Sequence, residues 1–296
     1  MILDITGDVE LEPELLLLLN QTADEIRAEY NQIINDFIEI NDKTIDVWVS
    51  EVASRNTFSN DFFTNLCNIA LVKKVIEKNY QISKIVTHSK PLADIIRQMV
   101  SKLNIQVVDK SKSRFKNSFN LYYSYLVNCV DIIRSFFIRK IVCQKAGNIP
   151  KNLSIIDIFV FQNSFQNKQF NDRYYNYFNG LIEATNTKSI YYLPTYYSIR
   201  NYYRLFKKMN EANRNFLIKE DYLRISDIFF CITYIFRLYR FKIPKTEFRN
   251  TDISPLFRDT ICQNLASRSS LLGLINFRFA KGLKNAGVHV KILINW

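Results

Sequence analysis

The 296-residue chain is poor in the residues on which many nucleotide and metal sites are built. Six glycines leave little material for Gly-rich phosphate loops, collagen-like repeats or Gly-rich barrels. No G-x-G-x-x-G, Walker lysine loop, G-x-S-x-G or D-x-D pattern occurs. That disfavours dinucleotide oxidoreductases, P-loop nucleotidases and serine hydrolases, and lends nothing to a metal-dependent glycosyltransferase. The two histidines, His88 and His289, lie far apart in the chain, so no Cys/His zinc site is expected. The cysteines are Cys67, Cys129, Cys143, Cys231 and Cys262. They are odd in number, include no C-x-x-C and sit in apolar helical patterns, which predicts buried free thiols in a reducing compartment. No run reaches about 18 uninterrupted apolar residues. Leu15 to Leu19 is short, flanked by Glu12, Glu14 and Asp24, and has no basic leader, so a cytoplasmic protein is expected.

What is present is an apolar fraction of 48%, enough for a core, and a net charge of +12. Residues 1–60 hold thirteen acids against three bases, and residues 61–296 hold fifteen acids against thirty-seven bases. A basic body behind an acidic leading segment suits a polyanionic partner such as anionic lipid or nucleotide phosphate. The bases are dispersed over helices rather than gathered with aromatics in one stripe, so no nucleic-acid partner is expected.

Hydrophobic periodicity predicts an α/β protein. A helix over 14–40 belongs to an acidic helical leader, residues 1–43. Alternation over 45–50 reads as a strand, and Thr57 or Ser59 as the cap of a helix over 60–78. Residues 82–87 read as a second strand. Ser89 caps the next helix, with Pro91 in its first turn. Residues 105–108 form a third strand. The long apolar segment Phe119 to Val142 is either a central buried helix or a helix lying on a membrane surface. In the second case Lys112, Arg114, Lys116, Arg139 and Lys140 anchor it within a possible insertion over 110–150. Further strands are expected over 153–161 and 190–193, the latter stopped by Pro194. Helices are expected over 172–184, 197–210 and 221–241, and another from Ser254–Pro255 towards Ala286, capped by Gly287. A last strand spans 288–294. Alternating strands and helices imply a mainly parallel, Rossmann-like sheet over 44–296 with helices on both faces.

Open α/β sheets bind ligands beyond the carboxyl ends of their strands. That rule selects Glu51, Arg55 and Asn56 after the first strand, and His88, Ser89 and Lys90 after the second. It selects Asn163, Asp172 and Arg173 after the fourth, and Thr195 after the fifth. His88 suits proton transfer, phosphate binding at a helix N-terminus, or a structural role. Asp172 beside Arg173 suits a general base next to an anion clamp, or a local ion pair at a helix start. Glu51 is the other candidate carboxylate.

Several stretches together carry a family resemblance: VWVSEVASRNTFSNDFFTNLCNIALVKKVI, FNDRYYNYFNGL, EDYLRISDIFF, FRNTDISPLFRD and VKILINW. From about residue 44 to 296 the chain resembles bacterial surface-carbohydrate (O-antigen or capsule) biosynthesis proteins of glycosyltransferase type. The resemblance implies a two-lobed GT-B architecture of which this chain is the N-terminal lobe, the second lobe lying beyond Trp296. It implies sugar transfer from a nucleotide-activated donor to a surface polysaccharide or lipid-linked glycan, on the inner face of the cytoplasmic membrane. The nucleotide-sugar is then a co-substrate, and no separate cofactor or metal is called for. Asp172 and Glu51 are the catalytic candidates; Arg55, Asn56, His88, Ser89, Lys90, Asn163, Arg173 and Thr195 are the substrate-binding ones. The other reading is a non-catalytic basic α/β module that binds an anionic membrane or a partner protein.

Overall fold

The computed structural model describes residues 1–57, 59–111, 114–142, 149–166, 169–171, 190–212, 214–263 and 267–295. Along the chain come β1 (Ile2–Asp4), α1 (Pro13–Asn41), α2 (Ile45–Trp48), α3 (Phe62–Glu77), β2 (Lys84–Thr87), α4 (Lys90–Met99), β3 (Gln106–Asp109) and α5 (Arg114–Val142). They are followed by β4 (Asn152–Val160), β5 (Phe165–Gln166), β6 (Gln169–Phe170), β7 (Ile190–Tyr196), α6 (Tyr202–Glu211), α7 (Lys219–Tyr222), α8 (Ile225–Ile232) and α9 (Tyr234–Leu238). Last are β8 (Glu247–Phe248), β9 (Thr251–Asp252), α10 (Ser254–Gln263), α11 (Arg268–Asn285) and β10 (His289–Ile294). The chain divides into two compact units, Met1–Leu126 with Thr233–Leu271, and Val127–Ile232 with Leu272–Trp296.

The first unit is built on a parallel sheet of order β1-β2-β3, with Leu3 opposite Ile85 and Ile85 opposite Val107. The leading segment therefore supplies a strand as well as a helix. In α4 the Ser89 hydroxyl accepts from Leu92 N–H (3.3 Å) and Pro91 sits in the first turn, as the sequence predicts. Leu92, Ile95 and Ile96 are buried at helical spacing, and α4 packs on β2 and β3. In α1, Leu15, Leu18, Ile26, Ile33, Ile34 and Phe37 make the buried stripe, which packs on α3.

The expected strand over 45–50 is instead the short helix α2. Asp46 and its neighbour Val47 are both buried, which a half-buried strand of period two does not allow. Asp46 turns inward because Arg237 takes both its oxygens (2.8 and 2.9 Å). Nor do Thr57 and Ser59 cap α3: it starts at Phe62, whose N–H bonds Asn60 Oδ1 at 3.1 Å.

The second unit carries another parallel sheet, of order β10-β4-β7. The parallel strands thus form two separate sheets, where the sequence suggests one, and β5-β6 and β8-β9 are small antiparallel pairs. β7 runs through Pro194 to Tyr196 rather than stopping there. Tyr192 uses its N–H and C=O on the segment 215–217, bonding Asn215 O and Leu217 N–H at 2.8 Å each. Pro194 has the same strand parity, so its missing N–H falls on that side and costs no bond to β4. One face of the sheet packs Ile156, Ile158, Val160 and Tyr192 against Tyr202, Leu205, Phe206 and Met209 of α6. The helix expected over 197–210 begins at Asn201, whose Oδ1 accepts from Arg204 N–H (2.9 Å). The one expected over 221–241 is divided into α7, α8 and α9. The expected helix over 172–184 lies outside the described residues.

Gly287 ends α11 at φ +69°, the left-handed conformation predicted for it. Cys67, Cys129 and Cys231 are buried thiols outside any disulfide, Cys262 is only half-buried, and burial pushes the Cys67 thiol up to about 11. Cys143 lies outside the described residues. No helix among the described residues is long and apolar enough to cross a membrane.

Within the second unit, α11 closes on the chain at Tyr222 through Gly282. A Cβ there meets the Tyr222 carbonyl oxygen at 2.5 Å, while Tyr222 and Phe279 pack edge to face at 5.7 Å. Alanine gains about 1 kcal/mol in helix propensity, but the clash is with backbone and costs about 1–3 kcal/mol. Gly282→Ala is therefore expected to lower the urea midpoint, despite replacing a helical glycine.

Candidate functional site

The carboxyl edge of the first sheet gathers polar groups from three loops. After β1 the chain turns sharply at Gly7 (φ +85°). Asp4 Oδ1 accepts from Thr6 N–H (3.0 Å) and from its hydroxyl (2.5 Å), and Thr6 Oγ1 accepts from Asp8 N–H (3.2 Å). This turn delivers Asp8 to the end of β2, where its Oδ2 lies 2.7 Å from His88 Nε2. Buried Thr87 accepts from Ser89 N–H (3.2 Å), which fixes the step from β2 into α4. Lys90 stands exposed in the first turn of α4, at the positive end of the helix dipole. After β3, Lys110 pairs with Asp4 Oδ2 at 3.5 Å, and Asp109 Oδ1 accepts from Ser111 N–H at 2.7 Å.

Partial burial pushes the Asp4 carboxyl up, but the bonds from Thr6 and the Lys110 charge outweigh it and hold Asp4 below the ordinary carboxylate value. With Asp8 engaging Nε2 of His88, the other ring nitrogen serves as a proton acceptor when the imidazole is neutral. Lys90 and the helix terminus supply positive potential beside it. The arrangement suits proton transfer next to an anion.

His88, Ser89 and Lys90 are the predicted residues that the fold brings together. Glu51, Arg55 and Asn56 follow a helix instead of a strand, so they do not stand at a sheet edge. Glu51 Oε1 accepts from Ser267 and, at 3.1 Å, from Ser269, at the start of α11. Arg55, at φ +53°, donates to Asn35. The Asn56 N–H bonds Ser54 Oγ at 3.2 Å. Asn163 and Thr195 belong to the second unit, and Asp172 and Arg173 lie outside the described residues. Sequence reasoning missed Asp4, Thr6, Asp8 and Lys110. The cue for the first three was the short T-G-D turn alone, since the three residues of β1 before it are too few to show a period.

In the second unit, Gln162 Oε1 accepts from the N–H groups of Arg200 (3.1 Å) and Asn201 (2.9 Å), tying the ends of β4 and β7 together. Asn163 is exposed in the same turn. Thr195 Oγ1 donates to Asp157 Oδ1 at 3.1 Å. Beneath lies a polar interior. Arg139, 4% exposed, grips both oxygens of Asp221 at 2.7 Å and bonds Asn210 Oδ1 at 2.8 Å. Glu220 accepts from Ser135 and, at 3.1 Å, from the Tyr196 hydroxyl. Burial raises the Glu220 carboxyl, and burial with the Glu220 charge raises Tyr196 well above the usual phenol range. Lys140 Nζ bonds Glu220 O at 2.9 Å. Arg139 is thus engaged with the interior of the unit, whereas Lys140 is exposed and gives its bond to a backbone carbonyl.

Among the described residues no group of three or more His, Cys, Asp or Glu side chains could hold a metal ion. Comparisons with protein families, with curated proteins and with solved structures each find no match.

A carboxyl held below its unfolded value adds stability above that value and loses it as the pH falls through the folded pKa. Asp4→Asn is expected to cost about 1 kcal/mol at neutral pH. The difference from the wild type should shrink as the pH drops below about 4, as read by urea denaturation along a pH series.

Proposed function

We propose that the chain takes part in sugar transfer from a nucleotide-activated donor to a surface polysaccharide or lipid-linked glycan. The observation that carries this reading is the His88–Asp8 contact of 2.7 Å at the carboxyl edge of a parallel sheet, beside the N-terminus of α4. The resemblance to surface-carbohydrate biosynthesis proteins points the same way. In the transfer, the acceptor hydroxyl oxygen bonds to the anomeric carbon as the bond from that carbon to the donor phosphate breaks. His88 takes the hydroxyl proton, with Asp8 orienting the ring and stabilising the imidazolium. Lys90 and the α4 dipole offset the charge of the departing phosphate. A GT-B arrangement, in which a further lobe supplies donor contacts, is part of this reading.

A position at the inner membrane face is supported by α5. Tyr125, Cys129, Ile132 and Phe136 make its buried stripe, while Phe119, Tyr123, Leu126, Val130 and Ile141 are exposed. The helix is therefore not enclosed by protein, and its open apolar side suits an interfacial position. The same stripe favours the second reading, a module that docks on membrane without catalysis.

Two measurements separate the readings. A panel of nucleotide-sugars should raise the melting temperature for at least one donor, since a ligand bound only by the native state stabilises it by mass action. His88→Ala should lower transfer by about 10²- to 10⁴-fold with the melting temperature little changed. Undiminished transfer removes His88 from its role, and loss in Asp172→Asn instead assigns the base to Asp172. Leu126→Asp with Val130→Asp should reduce sedimentation with vesicles; unchanged sedimentation removes α5 as the docking helix.

A further inference from the structure

The second sheet is closed along one edge and open along the other. At β7 the outer edge is covered by residues 215–217, through the two 2.8 Å bonds of Tyr192. At β10, the opposite edge in the order β10-β4-β7, no strand among the described residues lies on the outer side. The backbone N–H and C=O groups of that side face solvent, a ready template for another strand.

The side chains repeat the contrast. Val290 lies opposite Leu153 and Leu293 opposite Ile155, while Ile292 and Ile294 lie opposite Ser154 and Ile156. Paired residues share a face of the sheet. On β4, Leu153, Ile155 and Ile156 are buried, so both faces are covered there. On β10, Val290, Ile292 and Leu293 are 42%, 56% and 58% exposed, so both faces are bare. Parallel sheets are ordinarily covered on both.

Charge narrows the choice of occupant. The second unit holds nineteen Lys and Arg against eight Asp and Glu, whereas the first holds twenty-one against twenty. Residues 272–296 carry four bases and no acid. Arg278 pairs with Asp227 at 2.8 Å, but Lys281, Lys284 and Lys291 are exposed and form no ion pair among the described residues. Lys284 belongs to the turn that leads into β10, its carbonyl accepting from Gly287 N–H at 3.1 Å. Exposed Lys151 joins them, since its carbonyl accepts from His289 N–H at 2.6 Å. A second copy would bring the same bases to the same edge and be repelled. A lipid surface answers the bases and the apolar side chains but not a row of backbone groups. An extended acidic segment answers all three.

We propose that the outer edge of β10 receives an extended acidic segment of a partner protein as an added strand. Its apolar side chains continue both faces of the sheet, and its carboxylates meet Lys151, Lys284 and Lys291. The bulge between Val290 and Ile292, with Lys291 in it, interrupts the regular edge and disfavours pairing with strands that lack the matching acids. This inference stands apart from the transfer reading.

The test uses the full chain and a capped peptide of alternating valine and isoleucine flanked by pairs of glutamates. Binding is read by fluorescence anisotropy and by backbone amide hydrogen exchange. The wild type should bind the peptide, with exchange slowed at residues 289–294. The same core flanked by lysines should bind at least about tenfold more weakly, and Lys291→Glu should weaken the glutamate peptide about fivefold, as loss of an exposed ion pair does. A glutamate peptide with proline in its core, which lacks the strand's donors, should bind poorly. The proposal is overturned if the glutamate peptide does not bind, if the lysine or proline peptide binds as tightly, or if the slowed amides lie outside β10. A free chain that sediments as a dimer with its β10 amides already protected assigns the edge to a second copy and overturns it too. So does protection of β10 by phosphatidylglycerol vesicles but not by the peptide. Should Lys291→Glu fail to fold, the peptide comparison and the exchange pattern of the wild type decide alone.

Discussion

Parallel pairing between distant strands is the constraint on which both units depend. A parallel pair cannot be closed by a tight turn and needs a crossover of a dozen or more residues. Here the crossovers are long: Ile2–Asp4 pairs with Lys84–Val86, and His289–Ile294 with Asn152–Ile156. Each sheet is thus completed by a segment remote in sequence. The loops after β1 and β2 leave the same edge because the strands point the same way. That is why Asp8 and His88, eighty residues apart, meet at 2.7 Å.

Buried charge is answered by a two-bond partner at two places within the described structure. Asp46 with Arg237, and Arg139 with Asp221, are two-bond pairs in which each oxygen of the carboxylate has a donor. Removing one partner of such a pair costs about 3–5 kcal/mol, because the other is left buried and uncompensated.

The sequence made legible those elements whose cause is local. The α1 helix, the Ser89 cap with Pro91, the strands at 84–87 and 152–160 and the Gly287 terminus all follow from spacing or from one residue's backbone preference. Elements fixed by distant partners were not legible. Residues 45–48 alternate like a strand, but the Asp46–Arg237 pair is decided 191 positions away. β1 has three residues, too few for periodicity to register. Pro194 reads as a stop because the sequence does not reveal which way its missing N–H points. The candidate site divides along the same line. His88 and Ser89 were found from their own strand and helix, whereas Asp8 needed β1 to be recognised as part of the sheet.

The surface of α5 sets a further physical condition on any membrane role. Its exposed side chains recur at helical spacing from Phe119 to Ile141 and include Tyr123 stacked on Phe119 at 6.4 Å. A stripe of that form lies along an interface; it does not cross one, since the opposite face buries Tyr125, Cys129 and Ile132 in protein. At the end of the helix Arg139 is paired with Asp221, while Lys140 is exposed and bonds the Glu220 carbonyl oxygen. Were α5 to lie on a membrane, attraction at that end would combine apolar area, which salt does not screen, with the roughly 1 kcal/mol that an exposed base contributes near an anionic surface. Phe137 and Ile141, both exposed at that end, would supply the apolar part of such an attraction.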